Sequence, residues 1–236
     1  MKYRIPLHRR GPALWPEGYP LATLRARMRE LGSALFTAVY QGRPATEGGA
    51  VFHPEWLHSY TELPPLREIG QAWDTAMKGG SSNDYACAVT AGRDADGIIY
   101  LLDVWRGQVE TPALKRQMLA LAAQWQPRWI LVEDAGAGAA LLPMLRAESR
   151  LPLVPVRPSK DKLRRAQAIT PALERGDLRL PPYAPWLEDF RSELLEFPGA
   201  PHDDQVDAFV YLMTRFLTRP AITLGVESLG RRPAGW

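Results

Sequence analysis

Several acidic residues stand where charge is costly. Asp74 sits between Trp73 and Thr75 in the short apolar run QAWDTAM at 71–77, near its middle, where a carboxylate is expensive unless it is paired or holds a metal. Glu133 and Asp134 close the run WILVED at 129–134, at the C-terminal end of a strand, the end where open α/β sheets bind ligands. PHDDQVDAFVYLMTRFL at 201–217 opens a helix with His202, Asp203, Asp204 and Asp207. Three separate elements therefore each deliver a carboxylate. Carboxylate oxygens are the natural ligands of Mg²⁺ or Mn²⁺, and two such ions about 4 Å apart stabilise both the attacking and the leaving oxygen of phosphodiester hydrolysis.

At 3.6 residues per turn, the apolar stripe Val206, Phe209, Val210, Met213 and Leu217 has its centre nearest Asp203, then Asp207, and almost opposite Asp204. Asp203 is best aimed inward by phase, and Asp204 reaches the site if the first turn is irregular. Taken singly, Asp74 reads equally well as an edge or turn residue, and Asp203 or Asp204 as a helix cap. Jointly, three inward acids in an apolar α/β core favour a metal. Asp103, in LLDVW, is structural, since nothing else joins it. Asp134 is the weaker member of its pair, because adjacent strand residues point to opposite faces.

Strands and helices must hold these groups. QAWDTAM at 71–77 and DYACAVTAG at 84–92 are strands joined by a turn-rich connection, and GIIYLLDVWRG at 97–107 is a third. Thr111 caps a helix through Gln124, with Pro112 at its first position. Strand 129–134 leads through the small-residue stretch AGAGAA into a helix ending near Ala147. Strand 153–156, helix 160–175, strand 178–180, helix 185–196 and helix 203–217 come after it. The expected fold is α/β: a mixed sheet, with a three-strand meander plus parallel strands, flanked by helices.

The chain has 236 residues, enough for one core plus an appendage at about 150 residues per domain. Its formal charge of +3 is uneven: residues 1–70 hold 9 Lys/Arg against 6 Asp/Glu, whereas 71–236 hold 20 of each. The first third is also rich in Pro and Gly and carries one expected helix, 21–40. Residues 67–218 thus read as the main domain, 1–66 as a linker-like segment packing on it and 219–236 as a tail. The single cysteine, Cys87, excludes a disulfide framework and Cys-rich metal sites, and reads as a small core residue. With no apolar stretch of about 20 residues and no apolar leader, the expected location is cytoplasmic.

Together these motifs resemble the C-terminal nuclease domain of the large terminase subunit of tailed bacteriophages, which has an RNase H-like, resolvase-like fold. WDTAMKGGSSNDYACAV is similar to that family's first strand and hairpin. ILVEDAGAGAALLPML is similar to its second acidic motif, KDKLRRAQAITPALERGDLRLP to its basic helix and following strand, and PHDDQVDAFVY to its third acidic motif. LGSALFTAVYQGRPATEGGAVFHPEWL resembles the segment joining the packaging ATPase to the nuclease. The resemblance implies an endonuclease that cuts concatemeric DNA, with two Mg²⁺ or Mn²⁺ ions held by Asp74, Glu133 and the Asp203/Asp204 pair and with Asp207 as an additional ligand. A metal-bound water would be the nucleophile, and His202 either orients a phosphate or caps the helix. Implied partners are double-stranded DNA, the packaging ATPase, the small terminase subunit and the portal, in a phage-infected or lysogenic bacterial cell. The chain has no P-loop of the form G-x4-G-K-S/T, so ATP hydrolysis is not expected of it, as in a split or truncated large subunit.

Arg157, Lys160, Lys162, Arg164 and Arg165 against Asp161 give +4 over nine residues, a candidate phosphate-contacting patch. Lys78 and the pair Arg9 and Arg10 are further candidates. A dinucleotide fingerprint starting at Gly136 fails at Leu141, no G-x-S-x-G motif exists, and Cys87 has no evident histidine partner. A junction-resolvase type of nuclease shares the acids but leaves the first 60 residues unexplained. The non-enzyme alternative is a DNA-binding or docking module whose acids are structural.

Overall fold

A computed structural model describes residues 15–41, 50–75, 85–157 and 161–218. The elements run α1 (Leu21–Gln41), a 3-10 turn (Pro54–Trp56), β1 (His58–Ser59), β2 (Glu68–Asp74), β3 (Ala86–Arg93), β4 (Ile99–Gly107), α2 (Thr111–Trp125), β5 (Trp129–Glu133), α3 (Gly136–Glu148), β6 (Leu153–Val156), α4 (Lys162–Arg175), β7 (Leu178–Leu180), α5 (Leu187–Glu196) and α6 (Asp204–Thr218). The strands form one sheet in the order β1-β7-β4-β3-β2-β5-β6. The expected meander is β2-β3-β4, antiparallel throughout, while β5 runs parallel to β2 and β6 parallel to β5. β7 is parallel to β4, and β1 to β7.

Period-two alternation sorts the sheet residues onto two faces. On one face Ala72, Cys87, Val89 and Leu131 pack with Ile169 and Leu173 of α4, Phe190 and Leu194 of α5, and Val206, Phe209 and Met213 of α6. On the other, Trp73, Ala88, Ile130 and Val132 pack under Leu114 and Met118 of α2 and Leu141 and Leu145 of α3. β3 is buried along its whole length, so every one of its residues needs cover from one layer or the other.

Several expectations shift. β2 begins at Glu68, three residues early, because the Glu68 carboxylate pairs with the Arg93 guanidinium on β3 and a charge is thereby tolerated inside the ladder. The strand also stops at Asp74, so that residue is the strand's last and not its middle. Thr111 is the first residue of α2, and Glu110 occupies the cap position without a side-chain cap bond. Part of the stretch read as linker joins the fold: β1 adds an edge strand, and Val51, Phe52 and Leu57 enter the core beneath α5 and α6.

Candidate active site

Strand register places the key residues in a line. Trp73 pairs with Val132, so Asp74 lies beside Glu133 one residue further on; Asp74 also pairs with Cys87, and Cys87 with Arg106. Paired residues share a face, so Arg106, Cys87, Asp74 and Glu133 form one row across β4, β3, β2 and β5. Neighbouring strands are about 4.8 Å apart, which sets Asp74 and Glu133 side by side. Both are buried, at 3% and 8% exposure. Two carboxylates this close out of water repel unless protons, donors or cations offset their charge.

Helices α4, α5 and α6 supply the rest. The Tyr211 hydroxyl of α6 donates to Glu133 Oε2 at 2.8 Å; burial and that bond hold its phenol above the ordinary range. One turn earlier, the Asp207 carboxylate accepts from Arg165 Nη2 at 3.2 Å and pairs with the Lys162 ammonium, which also donates to Asp203 Oδ2 at 2.8 Å. Burial pushes the Asp207 carboxyl up, and the Lys162 bond opposes that only in part. For Lys162, burial would depress the ammonium, but the two aspartates outweigh it and hold the group protonated. The Arg165 guanidinium also lies over the Tyr211 ring, 4.5 Å from its centroid.

Asp204 faces the other way. Burial raises its carboxyl first, and Glu193 and Asp203 push it further up. The Cys87 thiol is raised by burial, then by Asp204, Glu193 and Asp74, so these acids surround the middle of the row. Cys87 is fully buried and stays a neutral thiol, the small core residue expected.

Helical phase pointed to Asp203, but α6 begins at Asp204. Asp203 lies just outside, its carbonyl accepting the Asp207 N–H at 2.9 Å, and its side chain turns to α4. Asp134 is exposed at the end of β5, and Asp103 accepts from Trp125 Nε1 at 3.1 Å, a structural role. Within the basic stretch, Lys162 and Arg165 face the α6 acids, whereas Arg157 and Arg164 are exposed. Lys78, Lys160, Arg9 and Arg10 fall outside the described residues. Exposed His202 packs edge-on against Tyr85, centroids 5.4 Å apart.

The small residues after Glu133 bring α3 against the strand end. A Cβ on Gly138 would stand 2.0 Å from the Glu133 carbonyl oxygen and 2.5 Å from Thr75 Oγ1. Sequence reasoning missed Tyr211, Arg106 and Glu193. For Glu193 a signal existed: Phe190, Glu193, Leu194 and Phe197 lie at i, i+3, i+4 and i+7 and are all buried, so the acid falls in the apolar stripe.

Among the described residues, no three His, Cys, Asp or Glu side chains are grouped so as to hold a metal ion. The donor set nevertheless suits Mg²⁺ or Mn²⁺ in kind: hard carboxylate oxygens from Asp74 and Glu133 at the C-terminal ends of two adjacent parallel strands, with Asp204 brought by a third element.

Comparison with solved structures agrees with this architecture. The large terminase of a thermophilic bacteriophage, in complex with ADP, superposes with a TM-score of 0.66 at 13% identity over 86% of this chain and 54% of that one. The chain thus spans about half the length of that protein. The large terminase nuclease of the thermophilic phage G20c, with bound cobalt, superposes at 0.54 with 16% identity, over 72% of this chain and 99% of that one; with bound magnesium the score is 0.51. None of the curated proteins matches the chain at a significant level. The family model for the terminase RNaseH-like domain matches residues 71–216. That span runs from the middle of β2 through Phe216 of α6 and takes in Asp74, Glu133, Asp204 and Asp207, and the chain belongs to this terminase RNaseH-like family.

Proposed function

We propose that the protein is a divalent-metal-dependent DNA endonuclease acting in phage DNA packaging, on double-stranded concatemers. The observation that carries this reading is the burial of Asp74 beside Glu133 on one face of the sheet, with Asp204 delivered by α6. Asp74, Glu133 and Asp204 would hold Mg²⁺ or Mn²⁺, which when bound supplies Lewis acidity toward a phosphodiester oxygen. Tyr211 fixes Glu133 through its hydroxyl, keeping one carboxylate oxygen oriented. Lys162 and Arg165 neutralise Asp203 and Asp207, so an approaching phosphate meets fewer uncompensated charges on the α4 side. Exposed Arg157 and Arg164 supply sequence-independent phosphate contacts. In this scheme Asp203 and Asp207 organise the basic helix. A packaging ATPase, small subunit and portal are the partners that the family membership suggests.

The test is nicking or linearisation of plasmid DNA by the full chain with Mn²⁺ or Mg²⁺, with EDTA and Asp74→Ala as controls. Cleavage that requires the metal and is lost in Asp74→Ala is expected. Retained cleavage in that variant removes Asp74 from the reaction, and absence of cleavage with any metal favours the docking module.

A further inference from the structure

At the β4 end of the buried row lies a cation that the nuclease reading leaves unused. Arg106 is two strands from Asp74, about 10 Å at 4.8 Å per strand. Its guanidinium sits over the Tyr85 ring, 3.8 Å from the centroid, and that ring is in turn packed edge-on by His202. Stacking of this kind fixes the plane of a guanidinium while leaving its edge free to donate.

Its acidic neighbour does not consume it. Arg106 Nη1 is 3.6 Å from Glu193 Oε2, an ion pair but too long for a hydrogen bond. Both Glu193 oxygens make shorter bonds elsewhere: Oε1 accepts from the Gln205 and Val206 backbone N–H groups at 2.8 and 3.3 Å, and Oε2 from Gln205 Nε2 at 2.5 Å. About a quarter of the side chain remains exposed, at 26%. A planar, permanently charged fork stacked on a ring, only loosely paired to a carboxylate and partly exposed, matches a phosphate oxygen.

Resting on the nuclease reading for its substrate, we infer that Arg106 contacts a backbone phosphate of the DNA on the side of the acid row opposite α4, with Tyr85 and Glu193 as positioning residues. Lys162 and Arg165 then flank the acids on one side and Arg106 on the other. Strand register brings Arg106, Asp74 and Glu133 into one row, and the pairs to Asp203 and Asp207 hold Lys162 and Arg165 beside α6.

The test measures binding of a short duplex of mixed sequence as a function of salt, in an Asp74→Ala background where no cleavage is needed. Neutralising one phosphate contributes about 0.9 to the slope of log K against log salt. Arg106→Gln should make the slope shallower by about 0.9, and Arg106→Lys should keep the slope while weakening binding, since it retains charge without the fork. An unchanged slope in Arg106→Gln overturns the inference, even if affinity falls together with the thermal midpoint, because that pattern marks a merely structural partner of Glu193. Plasmid cleavage tests the nuclease reading separately: a changed slope without cleavage leaves Arg106 a DNA contact and removes the enzyme.

Discussion

Glu193 clasps Gln205 from both sides, one carboxylate oxygen on its backbone N–H at 2.8 Å and the other on its side-chain amide at 2.5 Å. The first N–H groups of a helix lack partners within it, and here a residue on α5 provides one for Gln205 and, at 3.3 Å, for Val206. The bond fixes the start of α6, and with it the direction of Asp204. Glu193→Ala should cost about 2–3 kcal/mol, the usual worth of hydrogen bonds to a buried charged group. Glu193→Gln, which keeps one acceptor, should cost less. Urea unfolding midpoints check the magnitude, and faster amide exchange at Gln205 and Val206 checks the location; unaltered exchange in Glu193→Ala would refute the clasp.

Asp204 should trade stability for function. Its folded carboxyl lies above the ordinary value of 3.8, chiefly through burial and then through Glu193. For a group raised on folding, its contribution to stability is fully present below the unfolded value and is lost as pH rises through the folded one. At pH 7 the charged Asp204 therefore works against the fold. Asp204→Asn should be more stable than wild type at pH 7, by no more than about 1 kcal/mol because this partly exposed charge is screened by solvent, with the gain fading toward pH 4 as the wild-type carboxyl takes up a proton, and it should not cleave DNA. Thermal midpoints across that range decide the matter: a less stable variant at pH 7 contradicts the prediction.

Local signals carried most of the architecture. Apolar runs at 129–133 and 153–156 and the turn-bounded meander could be read in sequence because a buried strand needs little beyond composition and length. Asp74 and Glu133 were legible as costly charges, Glu133 at a strand end and Asp74 in what read as mid-strand; that β2 stops at Asp74 is the structure's correction. What sequence could not supply was pairing between distant elements. Lys162 meets Asp203 and Asp207 across more than forty residues, so a helix read as a phosphate-binding patch turns two of its cations inward. At Asp203 the phase argument took the helix to start there, whereas the regular helix starts one residue later and the Asp203 carboxylate pairs with Lys162. β1 was missed because two exposed residues, His58 and Ser59, carry no periodicity.

Gly138 is needed for contact between α3 and the end of β5. A methyl group there would meet the Glu133 carbonyl at 2.0 Å, and backbone cannot swing away as a side-chain tip can. Gly138→Ala should cost about 1–3 kcal/mol and reduce cleavage by displacing Glu133. Gly199→Ala, where the nearest neighbour is the Glu196 carbonyl at 3.4 Å, should be close to neutral. Comparable losses in both variants, measured by chemical denaturation, would show that the close approach is not what matters.

Lys162 is a resident cation for Asp207 of α6 and for Asp203 just before it, and its removal tests whether these two aspartates are anchors of α4. Asp207 is 5% exposed and, of the two cations that pair with it among the described residues, would keep only Arg165. Breaking a buried pair is strongly destabilising, but a third of the Lys162 side chain is exposed, so screening reduces the effect. Lys162→Met should cost about 1–2 kcal/mol at pH 7. The pH dependence gives the sharper test. Lys162 is raised above 10.5, so its contribution persists through neutral and mildly alkaline pH and is lost only as pH climbs through the folded value. On the acid side, the variant's Asp207 lacks the ammonium that opposed its burial and takes up a proton at higher pH than in wild type. The stability difference between the two proteins should therefore be flat from neutral pH to about 10 and shrink toward pH 4. A difference that does not change on acidification would mean that Lys162 acts through packing, and that the aspartates do not depend on its charge.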